Sequence, residues 1–111
     1  MTPNKAIEIV DKLKPNSYSE EDKLRWINEL EGMAQRLVFQ EENIMQYAYP
    51  DDMDKELMIT APYDDVYTLF LEAKIDFYNR EYGNYNNSAM MFEAQYNEFK
   101  KDYIRKHQAR G

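Results

Sequence analysis

The sequence predicts an all-α protein, a small bundle of about four helices that ends in an antiparallel helical hairpin. Apolar residues recur at three- and four-residue spacing along most of the chain, as they do in amphipathic helices. Glycine (3) and proline (4) are scarce among the 111 residues, which is typical of helical chains. Near the C-terminus, only a short Gly/Asn turn separates two long apolar patterns. The length suits a single domain, 1–111, with one modest core.

Two helices are predicted in the N-terminal half. The first covers 3–14: Pro3 suits the first helical position, and Pro15 ends the helix because proline disfavours helical geometry in the preceding residue. Ser19 opens the second as an N-cap residue. The second helix is expected over about 20–47. Its apolar face comprises Leu24, Ile27, Leu30, Ala34, Leu37 and Val38.

An acidic loop is predicted over 48–61 and a helical hairpin over 62–107. Pro50 and its acidic neighbours favour a loop, and Pro62 suits the first turn of helix three. Gly83 is expected to take the left-handed conformation that ends this helix. The last helix is then expected to begin near residue 85.

Helix three is expected to have an apolar face broader than one contact needs. One side of it, together with the last helix, predicts core rings at Phe70, Phe77, Phe92, Tyr96 and Phe99. An adjacent strip is expected to pack on helix two or on a neighbouring subunit: Tyr67, Leu71, Ile75 and Tyr78. The remaining strip is polar and includes Glu72 and Asp76.

Charge is unevenly distributed along the chain. The net charge is −7, yet residues 100–111 carry five basic residues against one acidic residue, or +4, which leaves −11 for residues 1–99. An acidic body disfavours nonspecific binding to nucleic acid. The basic end is either a docking site for a partner or a solvated helix terminus. Its residues are Lys100, Lys101, Arg105, Lys106 and Arg110.

No residue pattern predicts catalysis, a cofactor or a metal. The chain has no cysteine, and its one histidine, His107, lies in the basic end. Asp51, Asp52 and Asp54 lack the further ligands and the glycine of an EF-hand loop. No apolar run approaches the length of a membrane span, so we expect a protein without a membrane role, made in the cytosol. An enzyme is the least favoured class.

Three stretches of the chain resemble head–tail connector proteins of long-tailed bacteriophages and prophages, also called head-completion or adaptor proteins. They are YSEEDKLRWINELEGMAQRLV (18–38), APYDDVYTLFLEAKIDFYNREYGNYNNSAMMF (61–92) and YNEFKKDYIRKH (96–107). The resemblance implies a structural role in the virion neck after assembly in the host cytoplasm. It implies a ring, commonly of twelve copies, that lies below the portal protein, extends the DNA channel and docks a tail or stopper protein.

The resemblance also assigns expected surfaces. A C-terminal segment of such proteins commonly contacts the portal, which makes the basic end the expected docking site. Packaged DNA has to pass without sequence-specific contact, and acidic side chains repel its phosphates over about 8 Å at physiological salt. The expected channel-facing acids are Glu41, Glu42, Asp51, Asp52 and Asp54. The alternative function is a small acidic regulatory or inhibitory binding protein encoded by a phage, which the acidic body favours.

Overall fold

Four α-helices form the regular structure of residues 1–107, the part of the chain that the computed structural model describes. They are α1 (Pro3–Leu13), α2 (Glu20–Leu37), α3 (Asp65–Tyr78) and α4 (Tyr82–Lys106). The described residues contain no β-strand. The predicted all-α class and small helical bundle are confirmed. Pro62 lies in a turn before α3, so helix three begins three residues later than expected.

The first two helices begin where hydroxyl side chains cap them. The Oγ1 atom of Thr2 accepts a hydrogen bond from the Lys5 N–H at 3.1 Å, and Ser19 Oγ accepts one from the Asp22 N–H at 3.0 Å. These bonds satisfy backbone donors that have no partner inside a helix. The start of both helices therefore follows from local sequence.

The predicted extension of helix two to residue 47 is wrong, because α2 ends at Leu37. Gln40 has a φ of 57°, in the left-handed region. The Phe39 N–H donates to the Ala34 carbonyl at 2.9 Å, and the chain reverses direction there. The apolar spacing of α2 could not reveal this reversal, since it depends on contacts made by the residues that follow.

Two side-chain amides of α2 hold the returning chain. Gln35 donates to the Met45 carbonyl and accepts from the Met45 N–H, both at 2.8 Å. Asn28 does the same for Tyr47, at 3.0 and 2.9 Å. Each amide supplies the donor and the acceptor that a neighbouring strand would otherwise supply. Residues 45–47 therefore lie along α2 instead of extending it.

The connection between α2 and α3 is longer and better packed than the acidic loop predicted over 48–61. Met53, Leu57 and Ile59 are buried in the core. The N-terminal segment holds part of this connection, since the Asn4 N–H donates to the Met53 carbonyl at 3.0 Å and the Leu57 N–H donates to the Met1 carbonyl at 2.9 Å. The segment is thus a core element without regular structure.

A carboxylate with no solvent exposure, that of Glu31, joins α2, the connection and α3. It accepts hydrogen bonds from the Tyr47 hydroxyl at 2.9 Å, the Met58 N–H at 3.1 Å and the Tyr67 hydroxyl. The Tyr67 oxygen accepts in turn from the Ile59 N–H at 2.8 Å. Burial, and then the adjacent carboxylate, raises the pKa of both phenols, so both remain neutral donors at physiological pH.

Two ion pairs, each with one buried partner, attach α1 and its C-cap residue Lys14 to the other helices. The Nζ atom of the buried Lys23 lies 2.8 Å from Asp11 Oδ1. Lys14 Nζ lies 2.7 Å from Asp76 Oδ1, and the Ser88 hydroxyl donates to Asp76 Oδ2 at 2.9 Å. The assignment of Asp76 to an exposed polar strip is therefore wrong. Its side chain is fully buried because α1 and α4 each bring a partner to it.

Arg80, and not Gly83, is the left-handed residue that ends α3, with a φ of 61°. The Glu81 N–H donates to the Asp76 carbonyl at 2.9 Å, and the Arg80 N–H donates to Phe77 at 3.0 Å, the bonding pattern of a Schellman cap. Gly83 lies in the first turn of α4 and has no positive φ. The hairpin link is therefore shorter than the Gly/Asn pattern indicated.

The five predicted core rings differ in their burial. Tyr96 and Phe99 are buried, whereas Phe70 and Phe92 pack against the core only in part. Phe77 is 46% exposed, so its assignment to the core is wrong. It lies at the end of α3, where its ring contacts those of Tyr78, Tyr82 and Tyr85 within the hairpin.

The second apolar strip of α3 faces the interior of this bundle. Tyr67, Leu71 and Ile75 have no solvent exposure, while Tyr78 is half exposed. The ring of Tyr78 stacks on Trp26 of α2, with centroids 5.5 Å apart and an interplanar angle of 10°. Of the two alternatives, helix two or a neighbouring subunit, the structure thus places this strip against helix two.

We expect Glu31→Gln to lower the free energy of unfolding by about 1–3 kcal/mol, the cost of an unsatisfied buried polar group. All groups that point at this carboxylate are donors, so the new amide NH₂ would face a donor. Urea titration followed by circular dichroism measures the change. The matched control is Glu42→Gln at an exposed position, with an expected effect within about 0.5 kcal/mol. Equal effects for the two variants would contradict this role for Glu31.

We expect Gly83→Ala to raise stability, by up to about 1 kcal/mol, because alanine favours helical geometry. A Cβ atom at this position meets no other atom within 4 Å.

We expect Arg80→Gly to raise stability as well, because glycine relieves the strain of the left-handed conformation. Arg36→Gly, at an exposed position within α2, is the control and should destabilise. Thermal unfolding measures the stability of all three variants. A loss of stability in Gly83→Ala would mean that Gly83, and not Arg80, ends α3.

Candidate protein-binding surfaces

A groove of about 270 Å³ runs between α3 and α4 on one side of the hairpin. We call it the hairpin groove. Its aromatic lining pairs Phe70 with Phe92, at a centroid distance of 5.1 Å, and Phe77 with Tyr85, at 5.4 Å. The other lining residues are Ala73, Lys74, Ala89 and Glu93. The floor is apolar and only the rim is charged, as in sites that bind apolar side chains of a partner.

The turn end of the hairpin exposes aromatic rings next to this groove. Besides Phe77, Tyr78 is 50% and Tyr82 is 55% exposed. Tyrosine combines a large apolar ring with a polar tip and is enriched at protein interfaces. Adjoining exposed aromatic side chains are more informative than scattered ones, because contiguous apolar patches mark interaction sites.

The opposite side of the hairpin, where α1 packs, has a second apolar surface, a shallow depression of about 610 Å³. We call it the α1-side surface. Leu13 and Met91 protrude from it, with 63% and 60% of their areas exposed. Asp65, Glu72 and Glu98 are its charged residues, and burial raises the pKa of Glu72 although Lys14 acts in the opposite direction. The remaining residues are Ile9, Thr68, Leu69, Ala94 and Gln95.

The described part of the basic end, residues 100–106, lies on the last turns of α4, where Asp102 offsets part of its charge. Arg105 and Lys106 both pair with Asp102, at 2.6 and 3.1 Å, and these bonds lower the pKa of that carboxyl, with Lys106 the larger cause. Lys101 pairs with Glu98 at 3.7 Å. These three basic side chains stay mostly exposed and accessible to a partner.

Lys100, the first residue of the basic end, is partly buried. Its Nζ atom lies 5.3 Å from the centroid of the Tyr96 ring, which places the cation over an aromatic face. Arg110, the remaining residue of the predicted docking set, lies outside the described residues. The structure thus brings four of the five predicted docking residues together on one helix end.

The five acids expected to face a channel lie in the connection between α2 and α3 and form two groups. Four are exposed, namely Glu41, Glu42, Asp51 and Asp54, and Asp52 is partly buried. Asp52 accepts from the Ala48 N–H at 2.7 Å, which is the main cause of its lowered pKa. Asp54 accepts from Asn4 at 2.7 Å. Asp52 and Asp54 therefore stabilise local structure in addition to adding negative charge.

The polar side chains that organise the connection could not be assigned from the apolar pattern of the sequence. Glu31 and Gln35 are buried, and both lie within about 20° of Leu24 in a projection at 100° per residue. A polar residue inside an apolar stripe is a signal that could have revealed them, because burial of a polar group requires a hydrogen-bond partner. Asn28 carries no such signal.

Among the described residues, no three His, Asp or Glu side chains lie close enough together to hold a metal ion. None of the helices described here is both long enough and apolar enough to span a membrane. Comparison with protein-family models, curated proteins and solved structures gives no match to this chain. The surfaces described above offer apolar contact and charge pairing.

We expect Phe92→Ala to destabilise the protein less than Phe99→Ala. The Phe99 ring is buried, so its removal should cost about 3–5 kcal/mol. The Phe92 ring already lines an open groove, so less apolar contact is lost on truncation. Urea unfolding of both variants provides the comparison. A cost for Phe92→Ala equal to or above that for Phe99→Ala would mean that the groove is closed in solution.

Proposed function

We propose that the protein is a structural subunit of a phage neck, a head–tail connector that forms a ring below the portal, extends the DNA channel and docks the tail or stopper protein. The observation that carries this proposal is the exposure of apolar and aromatic side chains on both sides of the α3–α4 hairpin. A small monomeric domain gains nothing from such surfaces, whereas a subunit that contacts several neighbours needs them. The resemblance over 18–38, 61–92 and 96–107 supports the same role.

The distribution of charge supports the same function. The exposed acids Glu41, Glu42, Asp51 and Asp54 lie in the connection, whereas the described cations of the basic end lie on the last turns of α4: Lys100, Lys101, Arg105 and Lys106. An acidic channel surface repels DNA phosphates and lets the genome slide, while a basic end attracts an acidic partner surface. In this proposal the basic end docks on the portal protein.

The location of the protein in a phage particle tests this function. In the phage or prophage that encodes the chain, deletion of its gene should give DNA-filled heads that lack tails. Mass spectrometry of wild-type virions should detect the protein, and imaging should place it at the neck. A small acidic inhibitor of a host factor would be absent from purified particles, and its deletion would leave particle morphology unchanged. That result would overturn the connector proposal in favour of the binding protein.

We expect a triple variant, Lys101→Glu, Arg105→Glu and Lys106→Glu, to bind the portal protein more weakly at low salt while it stays folded. Reversed charge removes electrostatic steering, and the difference from wild type should shrink as salt rises. Surface plasmon resonance at several salt concentrations measures binding, and circular dichroism checks folding.

The control for this variant reverses three other exposed lysines, Lys5, Lys12 and Lys55, and therefore has the same net charge. It should bind nearly as well as the wild type. If the triple variant at the basic end bound as well as this control, the docking assignment would be wrong and the basic end would be a solvated helix terminus.

A further inference from the structure

Residues 40–47, which run back along α2 and which we call the strap, are held mainly through their backbone. The side-chain amide of Gln35 contacts both backbone polar groups of Met45, at 2.8 Å each. In an extended chain the N–H and the C=O of one residue point to the same side, as in a hydrogen-bonded pair of antiparallel strands. Gln35 therefore binds Met45 as a neighbouring strand would. The Met45 side chain is 43% exposed and takes no part in this pairing.

The surface of α2 under the strap has a small residue beside this amide. Gly32 lies three residues before Gln35, on the same side of the helix. Ile44 lies over it, because a Cβ atom at Gly32 would be 3.8 Å from Ile44 Cγ2, an ordinary contact distance. The surface thus accepts an extended backbone and a branched apolar side chain one residue before the bound one. A peptide segment from another chain with these properties would make the same contacts.

The two ends of the strap are held with unequal strength. At its start, Gln40 has a left-handed conformation, which is strained in residues other than glycine. The Glu41 N–H donates to the Gln35 carbonyl at 2.8 Å. Among the described residues, this bond and the two to the Gln35 amide are the only hydrogen bonds or ion pairs that hold residues 40–46. At the other end, Tyr47 is 5% exposed and its hydroxyl is hydrogen-bonded in the core. The part before Tyr47 can therefore detach while Tyr47 stays in place.

Release of the strap would leave Gln35 in need of a new partner. Its side chain is 1% exposed when the strap is bound. A largely buried amide without hydrogen bonds is costly, so the open state favours any group that supplies both a donor and an acceptor. The backbone of an extended peptide supplies both from one residue.

We propose that Gln35 and Gly32 form a peptide-binding site, which residues 40–46 occupy within the chain and which an extended segment of a partner protein occupies in their place. The partner segment carries a branched apolar residue next to the one that Gln35 binds. The strap is then an autoinhibitory contact, since the apparent affinity for the partner falls with the population of the open state. This proposal goes beyond the connector function and does not depend on it.

Hydrogen exchange followed by NMR tests the opening of the strap. After correction for intrinsic rates, the Met45 N–H should exchange at least about 100-fold faster than the Tyr47 N–H. Its rate should not change at low urea concentrations, because a local opening exposes little surface. Equal protection of the two amides, or the same dependence on urea, would overturn the proposal, since the strap would then open only when the whole protein unfolds.

A peptide with the sequence of residues 41–46, EENIMQ, tests the exchange of segments. Met45→Pro removes the N–H that bonds to Gln35 and so vacates the site, whereas Met45→Ala keeps the backbone bonds and is the matched control. In an NMR titration that follows the Gln35 side-chain amide, the peptide should bind to Met45→Pro at least about tenfold more tightly than to Met45→Ala. A second opening variant, Ile44→Asp, should also bind more tightly than the control and replaces Met45→Pro if circular dichroism shows that variant to be unfolded.

Two further controls test the contacts themselves. A peptide that is N-methylated at the residue matching Met45 lacks the donor and should not bind, and Gln35→Leu in the opened variant should abolish binding. Four results would each overturn the proposal: no binding to the opened variants at the highest soluble peptide concentration, equal binding to the opened and control variants, binding that survives Gln35→Leu, or a wild type that dimerises by exchange of straps, since a second copy would then fill the site.

Discussion

The hydrogen bonds around the buried Glu31 are the constraint on which the rest of the bundle depends. Glu31 has no solvent exposure and no paired cation among residues 1–107, and such a carboxylate is costly unless every lone pair finds a donor. Its donors come from the chain between α2 and α3 and from α3 itself, through Tyr47, Met58 and Tyr67. The long connection can therefore take only a path that brings these donors to α2, and that path determines where α3 packs.

Local signals explain what could be predicted from the sequence. The caps at Thr2 and Ser19 and the apolar periodicity are properties of neighbouring residues, and they predict the four helices and the hairpin. The end of α2 could not be predicted because contacts with residues that follow it decide where it ends. The left-handed conformation of Arg80 could not be predicted because glycine is the usual residue in that conformation. Burial of Asp76 was also missed, since Lys14 and Ser88 reach it from other helices.

The same distinction between local signals and contacts with distant residues applies to the candidate surfaces. The basic end could be recognised from the sequence because consecutive residues form it, but its pairing with Asp102 could not. The hairpin groove was hidden, because the pattern assigned Phe77 and Phe92 to a closed core. Periodicity indicates which side of a helix is apolar, not whether another element covers it. In this bundle α1 covers one side of the hairpin only in part, and the connection leaves the groove open, so both sides retain apolar area for partners.

The side-chain amides of Asn28 and Gln35, which hold residues 45–47 against α2, fix the number of residues that can lie between them in that helix. Asn28 and Gln35 are separated by seven residues, close to two full turns, so both amides reach the same side of α2. A single inserted or deleted residue between them would rotate one amide by about 100° and release its segment of backbone. Over evolution this stretch of α2 should therefore vary in residue identity but not in length, and substitutions at either amide should be accompanied by changes near Met45 or Tyr47.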